Sequence, residues 1–155
     1  MAANTNPIFS QAGLIGKTSI TLAGTDASGT GSIGNGVTGA SLFLAFSADA
    51  TNGSFVESVR FQPVATAAST TTTATTCRLF VSTKSSGATV GGSDTFLFQE
   101  TAVPSVVADA PTAAIPFFEI PVNKILPAGY NLLVTSHQTL ASNTAIHCTV
   151  WAGQY

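Results

Sequence analysis

The chain has 155 residues, a length that fits one domain, and 45% of them are hydrophobic, which excludes wholesale disorder. It carries only five Lys or Arg and seven Asp or Glu, 8% of its residues, where an ordinary soluble domain has roughly a quarter. The net charge of −2 and the scattered cations exclude the basic stripe that binds nucleic acid. We therefore expect a surface of uncharged polar residues that contacts other protein, in an oligomer or a repeated assembly.

Residues 1–11 are predicted to form a polar N-terminal arm with one apolar pair, Ile8 and Phe9, after Pro7. The arm lacks the basic and apolar regions of a secretory signal, and no apolar run in the chain approaches the roughly 20 residues that span a bilayer. The sequence thus predicts synthesis in a cytoplasm and no membrane partner. Because such an arm gains little from its own domain, we expect Pro7, Ile8 and Phe9 to bind either a neighbouring subunit or the assembly to which the chain attaches.

Residues 12–155 are predicted to form a single all-β domain, an antiparallel, jelly-roll-like β-sandwich of about eight strands. Runs of β-branched and aromatic residues alternate with clusters of Gly, Pro, Asn and Ser, a pattern typical of a sandwich or barrel. The candidate strands are residues 16–23, 41–48, 55–63, 73–83, 95–103, 116–122, 130–137 and 144–152.

Alternation of apolar residues predicts which face of a strand is buried. It is clearest in two strands, where the predicted core residues are Cys77, Leu79 and Val81 in one and Ile146, Cys148 and Val150 in the other. In residues 55–63 the alternation is broken by Val56 and Glu57. Residues 42–46 and 96–98 are apolar on both faces, so their outer faces are expected to meet a second layer, a partner subunit or a neighbour's arm. The two cysteines are predicted to be buried free thiols rather than a disulfide.

Patterns that suggest a phosphate or metal site do not complete one. Residues 29–34 match G-x-G-x-x-G, but no helix can follow to bind a phosphate. His137 and His147 flank a predicted hairpin turn at residues 138–143, and Cys148 faces away from His147. Since zinc needs three or four ligands, we interpret both histidines as structural or surface residues and expect no metal and no cofactor.

No pattern of catalytic residues is evident either. The carboxylates show no paired spacing of the kind that a glycosidase uses, and no G-x-S-x-G nucleophile turn is present. We therefore predict that the chain is not an enzyme and has no catalytic residues.

The C-terminal aromatics Trp151 and Tyr155 allow two interpretations. They could stack on a sugar, or they could lie at a subunit contact, where Trp and Tyr are enriched. We favour the contact and count both residues as partner-binding.

Three segments carry a resemblance to a known group of proteins: the opening residues 4–9 (NTNPIF), the later 126–130 (LPAGY) leading into a final hairpin, and the C-terminal WAGQY. Together they resemble small structural proteins of tailed bacteriophages, and most of all the capsid decoration, or cement, proteins with a jelly-roll sandwich. The resemblance implies a non-enzymatic protein on the virion surface that binds the assembled head from outside and bridges neighbouring copies of the major capsid protein. It also implies a homo-oligomer, a dimer or a trimer. The alternative is a tail, fibre or carbohydrate-binding β-sandwich module.

Overall fold

The computed structural model describes residues 11–21, 42–65, 67, 70–86, 88, 90, 94–108, 114–138 and 140–154. Ten strands and no helix are found in these ranges. The strands are β1 (Gln11–Ile20), β2 (Phe43–Ser47), β3 (Ser54–Ala65), β4 (Thr70–Thr71), β5 (Thr75–Ser82), β6 (Thr95–Val103), β7 (Val107–Ala108), β8 (Phe118–Leu126), β9 (Asn131–Ser136) and β10 (Thr144–Gln154).

Eight of the strands form two four-stranded antiparallel sheets. Sheet 1 has the order β1-β10-β3-β8, sheet 2 has the order β2-β9-β5-β6, and β4 and β7 form a small separate pair. Among the eight strands the first therefore pairs with the last, the second with the seventh, the third with the sixth and the fourth with the fifth. This nested pairing is the order of a jelly roll, so the predicted fold class is confirmed.

All eight predicted strands are present, seven of them with at least one shifted end. The strand at 95–103 has the predicted bounds, whereas β1 runs from Gln11 to Ile20 rather than over residues 16–23. Gln11, which the sequence assigned to the arm, pairs with Gln154 of β10. β1 starts earlier than the sequence predicts because β10 continues to Gln154 and offers backbone partners to β1 as far back as Gln11. Residues 1–10 lie outside the described residues.

The predicted hairpin around residues 138–143 is wrong. β9 belongs to sheet 2 and β10 to sheet 1, so the connection crosses from one sheet to the other. His137 follows β9 and donates its backbone N–H to the carbonyl of Thr76 at 2.9 Å, whereas His147 lies on β10 opposite Gln62 of β3. The two histidines therefore do not face each other across a strand pair.

The core lies between the inner faces of the two sheets, as the alternation predicted. Its fully buried members include Val59 and Phe61 of β3, Leu79 of β5 and Val150 of β10. The pairings of β3 with β10 and with β8 both shift register between Val56 and Ser58. Against β10, the consecutive residues Trp151 and Ala152 lie opposite Ser58 and Val56, which leaves Glu57 as the extra residue of a bulge. This bulge explains why Val56 and Glu57 break the sequence pattern.

The outer face of sheet 2 carries a second, smaller apolar cluster. Phe80 of β5 and Leu133 of β9 lie side by side there, and Ala88 and Val90 from the β5–β6 connection bury them. A second layer therefore covers part of this face within the same chain.

Two glycines occupy turns that require a positive φ. Gly53 (φ 76°) closes the turn before β3, in which an oxygen of Asp49 accepts the N–H groups of Thr51 and Asn52 at 3.0 and 2.8 Å. Gly129 (φ 80°) lies in the LPAGY turn that leads into β9, where the N–H of Tyr130 bonds to the carbonyl of Pro127 at 3.1 Å. Glycine reaches such φ values without the steric cost of a Cβ.

Candidate functional site

Large apolar side chains are unusually prominent on the described surface, given how few charges the chain has. Nine of them are exposed: Ile15, Leu44, Phe96, Phe98, Val107, Phe117, Ile125, Tyr130 and Trp151. Single exposed apolar residues need no explanation, but grouped ones mark interaction sites. Most of these nine fall into two groups, one on the outer face of sheet 1 and one at the edge between the sheets.

The first group, which we call the aromatic face, consists of Ile15, Arg60, Phe117 and Trp151. Strand register brings it together, because Ile15 of β1 lies opposite Trp151 of β10, and Trp151 lies opposite Ser58 of β3. Arg60 is two residues beyond Ser58 on the same face and opposite Glu119 of β8. Three strands, together with Phe117 just before β8, therefore present this group side by side on the outside of sheet 1.

Arg60 joins the two aromatic rings of this face. Its guanidinium carbon lies 4.0 Å from the ring centroid of Phe117 and 6.0 Å from that of Trp151, within the range of cation–π contacts. The carboxylate of Glu119 accepts a hydrogen bond from the guanidinium of Arg60 at 3.1 Å. The pKa of Glu119 lies below its usual value, chiefly because Ser58 donates a hydrogen bond to the carboxylate and also because of the hydrogen bond and positive charge of Arg60. The carboxylate thus stays ionised and fixes the guanidinium between the rings.

The rings themselves remain accessible. Phe117 is 53% exposed, Trp151 39% and Ile15 53%. Tryptophan, phenylalanine and arginine are the residue types enriched in protein interfaces, and Trp and Arg dominate their binding energy. The aromatic face therefore has the composition of a binding surface, with a charge that is already partnered.

The second group lines a groove between β6 and β8, the edge strands of sheet 2 and sheet 1. We call it the edge groove; its volume is about 330 Å³. Its floor is formed by the buried Val56, Val122, Leu126 and Leu132. The sandwich is thus incompletely closed on this side.

The rim of the edge groove is also apolar. Phe98, Ile125 and Tyr130 line it and are 40%, 61% and 37% exposed. Phe98 reaches this position because a register shift in the β5–β6 pairing leaves it without a direct partner between Leu97 and Gln99. Lys124 is the single charged residue among those that line the groove. Such a groove favours an apolar occupant over a polar one.

Of the predicted partner-binding residues, Trp151 lies on the aromatic face, whereas Pro7, Ile8, Phe9 and Tyr155 lie outside the described residues. Sequence reasoning missed Phe117 and Arg60. Alternation placed Arg60 on the polar face of its strand, but only the register of β10, β3 and β8 shows that this face is the one that carries Trp151. Residues 96–98 are apolar on both faces in the sequence, and in the structure Phe96 and Phe98 are exposed, with Phe98 lining the edge groove.

The acidic and metal-ligating residues of the described ranges are dispersed or paired with cations. No group of three or more His, Cys, Asp or Glu capable of holding a metal occurs among them. Glu119, Glu100 and Asp94 form ion pairs with Arg60, Arg78 and Lys84. The G-x-G-x-x-G stretch at 29–34 lies outside the described ranges, and no helix in those ranges is long and apolar enough to cross a membrane.

Comparisons with protein-family models, with curated proteins and with solved structures found no match to this chain. Its function must therefore be argued from its own residues.

Proposed function

We propose that this chain is a structural virion protein that binds the outside of an assembled phage capsid and bridges neighbouring copies of the major capsid protein. The observation that carries the proposal is the aromatic face, an exposed Trp–Arg–Phe group on the outer side of a jelly-roll sheet. Jelly rolls serve as capsid and lectin domains, so the fold agrees with the proposal and with its main rival.

The chemistry of the surface favours a protein partner. With 8% charged residues, the chain relies on apolar contact and on uncharged hydrogen bonds to bind anything tightly. Complete burial of a large apolar side chain contributes roughly 1.5–3 kcal/mol, and Ile15, Phe117 and Trp151 are each about half exposed, so each offers about half of that to a contact. The ion pair of Arg60 with Glu119 lets the guanidinium enter an interface without an unpaired charge.

A carbohydrate ligand is the second candidate, and the same face favours it. Sugars stack on exposed aromatic rings, and here Trp151 lies beside Thr149 on one strand, with Lys17 opposite Thr149 on the next. This reading makes the chain a binding module of a tail or fibre. It predicts saturable binding to a polysaccharide in the absence of any capsid.

Co-sedimentation separates the two candidates. Purified protein is mixed with phage heads assembled without it, and in parallel with host cells or host polysaccharide. We expect it to pellet with the heads at a fixed ratio to the major capsid protein. Trp151 is the only tryptophan in the chain, so its fluorescence reports directly whether the aromatic face is covered. Binding to polysaccharide with a change in this fluorescence, and no binding to heads, would overturn the capsid proposal.

A further inference from the structure

We propose that the edge groove binds a small amphiphilic anion, an aliphatic chain that ends in a carboxylate, with the chain on the groove floor and the carboxylate at Lys124. The inference goes beyond the proposed function and does not depend on it. It places a ligand site within a single chain, on the side of the sandwich opposite to β1 and β2.

The two edges of the sandwich differ in how tightly the sheets meet. At the β1–β2 edge, a Cβ on Gly16 of β1 would clash with the carbonyl oxygen of Ala45 of β2, so glycine is what allows the two strands to pack closely. At the β6–β8 edge the sheets instead leave a groove of about 330 Å³. Sites that bind small molecules have volumes of roughly 300–1,000 Å³, so this groove suits a small ligand.

The floor of the groove consists of valine and leucine side chains. Val56, Val122, Leu126 and Leu132 are buried, and Val81 is half-buried beside them. These side chains have no hydrogen-bonding atoms and give water no partner, whereas an aliphatic chain that displaces water from such a surface gains free energy. The floor therefore favours the aliphatic part of the ligand.

Strand register places Lys124 on the inner face of sheet 1, above this floor. Lys124 lies opposite Val56 of β3, and residues directly opposite each other on paired strands share a face. Val56 is 1% exposed and belongs to the core. Along β8, Lys124 lies two residues from the buried Val122 and two from the buried Leu126, as expected for three side chains on one face. Lys124 itself is exposed, because β8 is an edge strand, so its ammonium group lies at the mouth of the groove.

The charge of Lys124 selects the head group of the ligand. The three ion pairs within the described ranges use other cations, so Lys124 forms none there. It is also the single charged residue among the described residues that line the groove. A carboxylate at the mouth therefore meets one positive charge and no negative one, whereas a cationic head group is repelled.

An inward-facing lysine on an edge strand has one other known use, which is to stop the edge from pairing with another sheet. That use requires the charge but no ligand. It does not account for the groove beneath Lys124, because the charge would block the edge equally well above a filled core. The two roles make different predictions about ligand binding.

Octanoate and octylammonium are suitable probes, because they share a chain and carry opposite charges. Calorimetric titration of the full chain should give a Kd of about 1 mM or lower for octanoate and a clearly higher one for octylammonium. Methyl NMR locates the ligand. The signals of Val122 and Leu132 should shift with octanoate, and that of Ile15, on the aromatic face, should not.

Charge reversal tests the role of Lys124. Lys124→Glu should lower the ratio of octanoate affinity to octylammonium affinity at least about 5-fold, the effect of one exposed charge pair. Lys17→Glu is the matched control and should leave the ratio unchanged, since Lys17 is an exposed lysine on β1, at the opposite edge of sheet 1. Val81→Phe, which fills the groove from β5, should abolish octanoate binding.

Four outcomes would overturn the inference: no saturable binding of octanoate, equal affinities for the two probes, an equal change of the ratio in Lys17→Glu, or undiminished octanoate binding by Val81→Phe. In the first case Lys124 serves only to protect the edge of the sheet. Melting curves show whether each variant is folded. The NMR measurement uses the unaltered chain, so NMR signals that shift at Ile15 but not at Val122 and Leu132 would also contradict the proposed site, whether or not Val81→Phe folds.

Discussion

Cys77 and Cys148 lie in one hydrophobic core, the first on sheet 2 and the second on sheet 1, and both are free thiols. Burial raises the pKa of Cys77 to about 12, and burial together with the nearby Cys77 raises the pKa of Cys148 further still. The prediction of buried thiols from strand alternation is therefore confirmed. The pair also couples the stability of the fold to pH.

Stability should fall as the solution becomes alkaline. In the unfolded chain a thiol loses its proton near pH 8.5, whereas both thiols in the folded chain keep theirs up to about pH 12. Since the folded state then binds more protons, its free energy of unfolding is undiminished below pH 8.5 and decreases above it. The expected slope is about 1.4 kcal/mol per pH unit for each thiol. Urea unfolding followed by Trp151 fluorescence from pH 7 to 10.5 measures it.

A variant without thiols provides the control. Cys77→Ala with Cys148→Ala should be less stable at pH 7, because it leaves cavities in the core, but its stability should depend less on pH above 8.5. Parallel slopes for the two proteins would show that the thiols do not control the alkaline loss of stability.

Gly53 should tolerate alanine much less well than Gly129. Both have a positive φ, which costs a non-glycine residue about 1–2 kcal/mol. A Cβ on Gly53 would also lie 2.6 Å from the carbonyl oxygen of Leu126, whereas a Cβ on Gly129 has nothing within 4 Å. Gly53→Ala should therefore lower the melting temperature clearly more than Gly129→Ala in calorimetry. Equal shifts would mean that backbone strain alone determines both.

Two ion pairs of similar length should differ in what they contribute. Arg78 is 6% exposed and pairs with Glu100 at 3.2 Å, while Arg60 is 36% exposed and pairs with Glu119 at 3.1 Å. Glu100→Gln leaves a buried guanidinium with a weaker acceptor and should cost about 1–3 kcal/mol. Glu119→Gln should cost at most about 1 kcal/mol, because water screens an exposed pair. Denaturant unfolding of both variants compares the two, and a larger loss for Glu119→Gln would contradict this assignment of burial.

Strand alternation predicted more of the fold than of the site, for a physical reason. Periodicity reports which face of a strand is buried, and for Cys77, Leu79 and Val81 it was correct. It does not report which sheet a strand joins. The segment between His137 and His147 contains good turn residues and was predicted to be a hairpin, but in a jelly roll it crosses between sheets.

The aromatic face was predictable only in part for the same reason. Trp151 stood out as an exposed aromatic near the C-terminus. Phe117 precedes it by 34 positions, and only the pairing of β10 with β3 and of β3 with β8 brings the two rings to one guanidinium. The edge groove depends on Phe98, whose position follows from a register shift that no local pattern indicates.

The aromatic face should control attachment to heads without controlling the fold. Phe117 precedes β8 and is 53% exposed, so Phe117→Ser removes little of the core. If the half-exposed ring is buried at the capsid contact, its loss removes about half of the roughly 1.5–3 kcal/mol that full burial of such a side chain contributes, which weakens attachment about 4- to 13-fold. Leu44→Ser is the matched control, since Leu44 is also an exposed apolar residue but lies on sheet 2.

The dependence of attachment on salt concentration adds a second criterion. A contact carried by apolar side chains should persist between 0.05 and 0.5 M NaCl, roughly the range over which exposed charges become screened. Quantitative co-sedimentation of both variants at both salt concentrations, with melting curves for each, makes the comparison. Equal binding by Phe117→Ser and Leu44→Ser, or loss of binding at high salt, would show that another surface attaches the protein.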